Sequence, residues 1–196
     1  MLILGDSISI GYTPLVIDLL EGKANVSRPK ANCGPTTRYL QSLDKWLGDT
    51  KWDVIHFNVG LHDLCYRHPD AKGYGNRDKV NGTLSVTLEQ YEANLETILS
   101  RLKKTGAKII FASTSVIPEG EAGRKVGDDI RYNRVAAKVM AKHGIPVNDL
   151  HALTTTFPAE LFVKPGDVHF KTIGSQKLAK QVSTVIVEQL QFPKAE

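Results

Sequence analysis

The residues best suited to do chemistry come at the start of the chain, where Gly5-Asp6-Ser7 directly follows the apolar run Leu2-Ile3-Leu4. Gly5 permits a sharp strand-to-helix turn because it has no Cβ, and Asp6 can accept backbone N–H bonds within that turn. Backbone donors and the dipole of a helix N-terminus would then favour negative charge developing beside Ser7. These features suit a serine nucleophile, although an ordinary turn with Asp or Ser as the N-cap would have the same sequence.

A serine nucleophile needs a base, and the base needs an acid that orients it. His169 lies in the segment Lys164–Phe170, before the last predicted helix, and Asp167 precedes it by two residues. A loop after the fifth predicted strand reaches the carboxyl edge of the sheet, where Ser7 also ends a strand. Acid and base can therefore come from one loop. The alternative is a surface histidine in a turn.

Donors for an oxyanion are a further requirement of this chemistry. Gly34 follows the second predicted strand, and His62 follows the third, in Gly60-Leu61-His62-Asp63. The alternatives are a plain turn glycine and a loop histidine with Asp63 as a cap. Four residues of suitable types therefore follow four different strands and are predicted to meet at one sheet edge: Ser7, Gly34, His62 and His169.

The elements that must position these residues alternate along the whole chain. The predicted strands are Leu2–Leu4, Asn25–Lys30, Asp53–Val59, Lys108–Ala112 and Ile145–Leu150. The predicted helices are Thr13–Glu21, Thr36–Leu47, Thr87–Lys104, Asp128–His143 and Thr172–Leu190. This order predicts a single α/β domain over residues 1–196, with a five-stranded parallel sheet covered by helices on both faces. Ligands bind at the carboxyl ends of such strands, so the long segments Gly60–Ser85 and Ser113–Gly127 are predicted to wall the site.

Composition limits the class of protein and its partners. Of the 196 residues, 41% are hydrophobic and 23% are charged, which is typical of a soluble globular domain. The net charge of +4 comes without the interleaved basic and aromatic residues of nucleic-acid binders, so we expect no nucleic-acid partner and at most a weak preference for acidic substrates. No apolar run approaches about 18 residues, so we expect no membrane span. Met1 leads almost directly into the first strand, which predicts a cytoplasmic protein or one secreted with its leader removed.

The two cysteines, Cys33 and Cys65, are too few for a disulfide framework. Both follow predicted strands, so one bridge between them and two buried thiols are alternative interpretations. No spacing of Cys and His residues suggests a zinc site. The sequence therefore predicts no metal centre.

Taken together, these motifs resemble the SGNH hydrolases, also called GDSL esterases and lipases. Gly5-Asp6-Ser7-Ile8-Ser9 is similar to the first block of that family, and Gly34 to the second. Gly60-Leu61-His62-Asp63 is similar to the third block, Gly-x-Asn-Asp, and Pro165–Phe170 to the last. The resemblance covers the chain from Gly5 to His169 in the right order. It implies a three-layer α/β/α sandwich of the flavodoxin-like type.

The resemblance also implies a role for each matching residue. Ser7 is expected to be the nucleophile, His169 the base and Asp167 the acid. The backbone N–H groups of Ser7 and Gly34 and the ring of His62 are expected to hold the oxyanion. No cofactor is implied.

Two positions depart from the family pattern. His62 replaces the asparagine of the third block, as in a subgroup with Gly-Leu-His-Asp, and an imidazole N–H can donate if the other nitrogen accepts. The acid usually stands three residues before the histidine, where this chain has Gly166, so Asp167 takes that role from two residues before. Asp167 can still reach the ring of His169, or a backbone carbonyl can orient His169 as part of a dyad.

The function implied is a serine esterase that cleaves short acyl esters, above all acetyl esters, of a small molecule or carbohydrate. Lipase and thioesterase activities are alternatives within the same fold. A carbohydrate-binding module that has lost its chemistry is an alternative of another class, which the departures at His62 and Gly166 motivate. Four side chains near the inferred mouth are candidates for substrate contact, with packing or solvation as the alternative: Tyr12, Arg38, Tyr66 and Arg67.

Overall fold

The computed structural model of the protein describes residues 1–73 and 75–191. Its strands are β1 (Leu2–Leu4), β2 (Val54–Asn58), β3 (Tyr66–Arg67), β4 (Thr83–Leu84), β5 (Lys108–Ala112) and β6 (Val147–Asn148). Within the described residues, four of them form a parallel sheet in the order β1-β2-β5-β6. The short strands β3 and β4 pair antiparallel in the long segment after β2. The carboxyl ends of β1 and β2 therefore meet at one edge of the main sheet.

Helices connect and cover these strands. They are α1 (Ser7–Leu19), α2 (Thr36–Leu47), α3 (Leu88–Lys103), α4 (Asp128–His143), α5 (Leu150–Thr155) and α6 (Thr172–Gln191), with a 3-10 turn at Ala159–Leu161. Helix α1 packs mainly against α6, whereas α3 packs against α2 and α4. The strong apolar period predicted for α3 is buried, as Leu95, Ile98, Leu99 and Leu102 show. These packing groups support a three-layer arrangement, which stays a prediction.

The predicted strand Asn25–Lys30 is reduced to one bridge, and this corrects the prediction of five strands. Ser27 lies opposite Leu2, accepts from the Ile3 N–H at 2.8 Å and donates to the Met1 carbonyl at 3.0 Å. Two residues later Pro29 has no N–H to donate, so it cannot extend the ladder. One edge of the sheet, beside β1, is consequently covered by an irregular segment and not by a strand.

Helix α1 begins at Ser7, whereas the sequence predicted a helix from Thr13. Asp6 is the N-cap, and its Oδ1 accepts from the Ile8 N–H at 2.9 Å. Pro14, which the prediction placed in the first turn, lies inside the helix. A proline removes only one intrahelical bond there, and the cap at Asp6 is strong enough to start the helix earlier. Ser7 is therefore the first residue of a helix.

Other expectations from the sequence can be compared with the described residues. Cys33 and Cys65 are both buried and free, so the structure has two thiols and not a bridge. No helix in the described part of the chain is long and apolar enough to cross a membrane. Across residues 1–73 and 75–191, no three His, Cys, Asp or Glu side chains are grouped so that they could hold a metal ion.

Candidate active site

Ser7, His169 and Asp167 form one hydrogen-bonded line. The Nε2 atom of His169 lies 2.7 Å from Ser7 Oγ, and its Nδ1 atom lies 2.6 Å from Asp167 Oδ1. An ionised carboxylate can only accept, so the proton of the neutral ring belongs on Nδ1. Nε2 is then free to accept the hydroxyl proton of Ser7. This is the tautomer in which an imidazole can act as a base toward a serine.

The loop that carries the acid and the base is shaped around Gly166. Gly166 has a φ of +71°, and the following Asp167 N–H donates to the Lys164 carbonyl at 3.1 Å to close the turn. A Cβ at position 166 would lie 2.6 Å from the carbonyl oxygen of Gly120. A side chain at the family's usual acid position would therefore collide with backbone. This close approach explains why the acid stands at Asp167.

Asp167 is held in its ionised form. Partial burial raises the pKa of this carboxyl, but hydrogen bonds from the backbone N–H and the ring of His169 lower it more, so the pKa lies below its ordinary value. Asp167 therefore carries a negative charge at neutral pH. That charge can orient the His169 ring and stabilise it when it becomes protonated.

The turn before Ser7 is built by close packing at Gly5. A Cβ at Gly5 would lie 2.8 Å from the side chain of Ser9, so only glycine fits there without a shift. Asp6 is fully buried, and burial raises the pKa of its carboxyl. As the first residue of α1, Ser7 has a backbone N–H for which the helix offers no acceptor. That N–H is available to an oxyanion formed at Ser7.

Gly34 lies beside this turn, but its N–H already has an acceptor. The neighbouring Cys33 N–H donates to the Gly5 carbonyl at 3.1 Å, which attaches the Gly34 turn to the Ser7 turn. The Gly34 N–H itself donates to Asn32 Oδ1 at 2.9 Å. To donate to an oxyanion, Gly34 must share this hydrogen or release Asn32. Its expected role stays a prediction with that added requirement.

His62 is buried and neutral. His62 is 8% exposed, and burial, together with the charges of Arg124 and Arg67, lowers its pKa to about 3. Arg67 Nη2 lies 3.5 Å from His62 Nδ1, and since a guanidinium can only donate, Nδ1 is the acceptor. The remaining proton of the ring then sits on Nε2. The condition under which an imidazole can replace the asparagine as a donor is thus met.

We expect His62→Ala to lower kcat for p-nitrophenyl acetate by about 10²-fold to 10³-fold, because one donor to the oxyanion is lost. His62→Asn keeps a donor and should retain more activity than His62→Ala. With a pKa of about 3, His62 stays neutral above mildly acidic pH, so the kcat–pH profile should contain no limb from His62 near neutrality. A kcat for His62→Ala equal to that of the wild type would remove His62 from the oxyanion site.

A buried arginine that the sequence analysis did not single out supports His62. The side chain of Arg124 is 5% exposed, and its Nε donates to the carbonyl of Leu61 at 2.6 Å. Its Nη1 donates to the fully buried Glu121 at 2.9 Å, and Arg77 binds the same carboxylate oxygen at 2.7 Å. This cluster joins the long segments after β2 and β5 next to His62. Charged residues in long segments are usually solvated, so no sequence signal separated Arg124 from its neighbours.

Asp63 joins the third block to the second. Its Oδ1 accepts from the Thr36 N–H at 2.9 Å and from the Thr36 hydroxyl at 2.5 Å, so it caps α2 from a distant part of the chain. Burial raises the pKa of Asp63 to about 7. The interpretation of Asp63 as a cap holds, although the helix that it caps is not its own neighbour in sequence.

The four candidates near the mouth divide between packing and polar contacts. Tyr12 is buried in the core. The ring of Tyr66 lies under Lys125, whose Nζ is 4.3 Å from the ring centroid. Arg67 contacts His62, as described above, and Arg38 lines a groove beside α2.

Several solved structures share this fold. The acetyl xylan esterase AlAXEase aligns with a TM-score of 0.76 at 15% identity, covering 94% of this chain and 98% of that one. The lipase/acylhydrolase from Enterococcus faecalis gives 0.75 at 21% identity, with coverages of 100% and 97%. The acetylxylan esterase Axe2 from Geobacillus stearothermophilus gives 0.72 at 20% identity, with 100% and 95%. At such identities the similarity establishes the fold, that of SGNH-hydrolase-like α/β proteins.

The family relationship follows from the sequence itself. The model of the GDSL-like lipase/acylhydrolase family matches residues 3–177, which include all four blocks. No curated protein sequence matches the chain. The chain therefore belongs to the GDSL-like lipase/acylhydrolase family and is a hydrolase, which confirms the resemblance of its motifs to the SGNH hydrolases.

Proposed function

We propose that the protein is a serine esterase that cleaves short acyl esters, acetyl esters of carbohydrates above all. The observation that carries this proposal is the line from Ser7 through His169 to Asp167, with its two contacts of 2.7 and 2.6 Å. In that line the serine, base and acid stand in the order that nucleophilic acyl transfer needs. The chain would then be a member of the subgroup with Gly-Leu-His-Asp in its third block.

The proposed reaction has two halves that use the same groups. Ser7 Oγ attacks the ester carbonyl carbon while His169 Nε2 takes the hydroxyl proton, and the carbonyl oxygen becomes an oxyanion held by Ser7 N–H, Gly34 N–H and His62. His169 then gives its proton to the leaving alcohol, and Ser7 keeps the acyl group. Water, deprotonated by His169, attacks the acyl-serine, and the proton returns to Ser7 as the acid leaves. Asp167 keeps the ring oriented throughout.

Similar structures favour short acyl groups on carbohydrates, and the geometry of the site favours an enzyme over a binding module. Two of the structures with this fold are described as acetyl xylan esterases. The departures that motivated a binding module without chemistry are each compensated: Arg67 directs a proton to the Nε2 of His62, and Asp167 reaches His169 where Gly166 leaves no room for a side chain. The esterase is therefore preferred over the binding module. Lipase and thioesterase activities differ from the proposed esterase activity only in the acyl group and the leaving group of the substrate, so kinetic assays with different esters compare the three directly.

We expect a fluorophosphonate probe to label the purified protein at Ser7, because such reagents require a serine activated by a base. Peptide mapping by mass spectrometry distinguishes Ser7 from Ser9 in the same turn. The variant His169→Ala should lose labelling while keeping the circular dichroism spectrum of the wild type. A folded wild-type protein that takes up no probe would instead support the binding module.

A further inference from the structure

A groove runs along the edge of the main sheet beside β1. It has a volume of about 460 Å³ and lies between the irregular segment 27–31 and α2, with Trp52 closing one side. The segment that forms one wall bridges to β1 at Ser27 and then leaves the sheet edge. We call it the edge groove and define it by Arg28, Lys30, Arg38, Lys45, Trp46 and Trp52.

The lining of the edge groove is strongly basic. Four of the residues that line the groove carry a positive charge, and no lining residue is a carboxylate. The acid next to Lys45 in sequence, Asp44, pairs instead with Arg101 at 2.7 Å. A cleft with one sign of charge concentrates ligands of the opposite sign. The charge of the groove therefore favours an anionic ligand.

Two tryptophan rings line the same groove, and both are held in place. Trp46 meets the ring of Tyr39 edge-on, with centroids 5.1 Å apart at 85°. The Nε1 atom of Trp52 donates to the carbonyl of Leu47 at 2.9 Å. Fixed aromatic rings offer large apolar contact area at little entropic cost. They suit the C–H faces of sugar rings, so the lining combines contacts for carbohydrate with contacts for negative charge.

Arg28, a lining residue, connects the edge groove to the turn that carries Ser7. Arg28 Nη2 lies 3.3 Å from Ser9 Oγ and 3.5 Å from the Gly5 carbonyl, in the turn that carries Ser7. The positive charge of Arg38 contributes to the lowered pKa of His62. Ala31, a lining residue, leads into the turn that holds Gly34. A sugar chain in the groove would thus extend away from an ester held at Ser7.

We propose that the edge groove binds the sugar chain of an anionic oligosaccharide, one with uronate-type carboxylates, whose acetyl ester is cleaved at Ser7. This inference rests on the proposed function and names its substrate class. Arg28 is bonded to the Ser7 turn and contributes only its charge, whereas the exposed Lys30 and Lys45 can pair with carboxylates directly. The four basic residues of the groove line one short cleft together with two tryptophans, which favours an oligosaccharide over an extended nucleic-acid strand.

The test measures binding without turnover, in the full-length Ser7→Ala protein. Trigalacturonate and the neutral xylotriose are titrated by calorimetry at about 50 mM and about 500 mM NaCl. We expect trigalacturonate to bind about tenfold more tightly at low salt, and the difference to shrink at high salt because the charges are screened.

Paired variants separate the groove from net charge. In the Ser7→Ala background, Lys30→Glu with Lys45→Glu should remove the preference for trigalacturonate. Lys23→Glu with Lys180→Glu changes the net charge equally, but these exposed lysines lie outside the groove, so the preference should remain. If the first pair lowers the melting temperature, Lys30→Gln with Lys45→Gln replaces it. In otherwise wild-type protein, the first pair should also lower the ratio of kcat/KM for acetylated trigalacturonate over acetylated xylotriose by about tenfold.

Each other outcome overturns the inference. Equal affinity for the two trisaccharides, or a preference for trigalacturonate that survives the groove substitutions, shows that the groove does not select ligands by their charge. Tighter binding of a uridine octamer than of trigalacturonate assigns the groove to nucleic acid. Failure of the proposed function looks different, because an inactive protein would still bind trigalacturonate, whereas an active esterase without the preference refutes the groove alone.

Discussion

Ser7→Ala is expected to lower kcat/KM for p-nitrophenyl acetate by about 10⁴-fold or more, since the acyl-enzyme cannot form without the Ser7 hydroxyl. In the structure that hydroxyl lies 2.7 Å from the base, His169 Nε2, and at the N-terminus of α1. Alanine keeps the turn but removes the atom that attacks. Any remaining rate would come from the oxyanion donors acting on water.

The measurement compares initial rates for the wild type, Ser7→Ala and Ser100→Ala, an exposed serine on α3 that serves as the matched control. Ser100→Ala should behave as the wild type. The same assay with acetate, octanoate and thioacetate esters ranks the esterase, lipase and thioesterase alternatives, and we expect acetate to be turned over fastest. Equal rates for wild type and Ser7→Ala would refute the assignment of the nucleophile.

The proximity of Ser7 and His169 could be predicted because the topology of a parallel sheet largely determines it. Residues that follow parallel strands share one edge, so a serine after β1 needs only a histidine in a later loop at that edge. Asp167 was predictable for a local reason, since an acid two residues before a histidine can fold back to its ring. The structure adds why the acid is not one position earlier: Gly166 approaches the backbone of Gly120 too closely for a side chain.

Partners that depend on tertiary packing could not be predicted. Arg124 supports the carbonyl of Leu61 across two long segments, and nothing in its local sequence distinguishes it from a solvated arginine. Arg67, which directs the proton of His62, was one of several candidates near the mouth and had no local signal for that contact. Asn32 differs, because Asn two residues before Gly34 is a recognisable turn signal that indicates its side chain will bond a backbone N–H.

Two of the errors in the predicted fold have local causes. The apolar and polar residues of Asn25–Lys30 suit an edge strand, but Pro29 cannot donate to a ladder and only Ser27 pairs with β1. The start of α1 was predicted too late because proline is favoured in the first turn of a helix, which placed Pro14 there. The cap at Asp6 overrides that preference. Both errors lie next to the site, where the turn at Ser7 and the edge groove are formed.

Asp167→Asn is expected to lower kcat/KM by about 10³-fold to 10⁴-fold with little change in stability. Asparagine is nearly the same shape, but its amide can donate to His169 Nδ1, and the ring proton then moves to Nε2. In that tautomer the ring cannot accept the proton of Ser7. Asp70→Asn, an acid whose side chain is 87% exposed, is the matched control and should be unchanged.

The contribution of Asp167 to the pH dependence of kcat/KM follows from the direction in which its pKa is shifted. The pKa of Asp167 is lowered in the folded protein, so its stabilising charge is present above the ordinary pKa of a carboxyl and is lost only as pH falls through the lowered value. Asp167 therefore contributes no limb to the kcat/KM–pH profile between about pH 5 and 8. An NMR titration that finds the Asp167 carboxyl titrating between about pH 5 and 8 would contradict this expectation.

An exchange of positions tests whether Asp167 acts through its place in the loop. The double variant Gly166→Asp with Asp167→Gly moves the acid to the family's usual position. We expect kcat/KM to stay as low as in Asp167→Asn, because the new side chain collides with the Gly120 carbonyl. For the same reason we expect the double variant to unfold at a lower temperature than the wild type. Wild-type rates for Asp167→Asn and Asp167→Ala would instead make His169 and Ser7 a dyad, with the ring oriented by a backbone carbonyl.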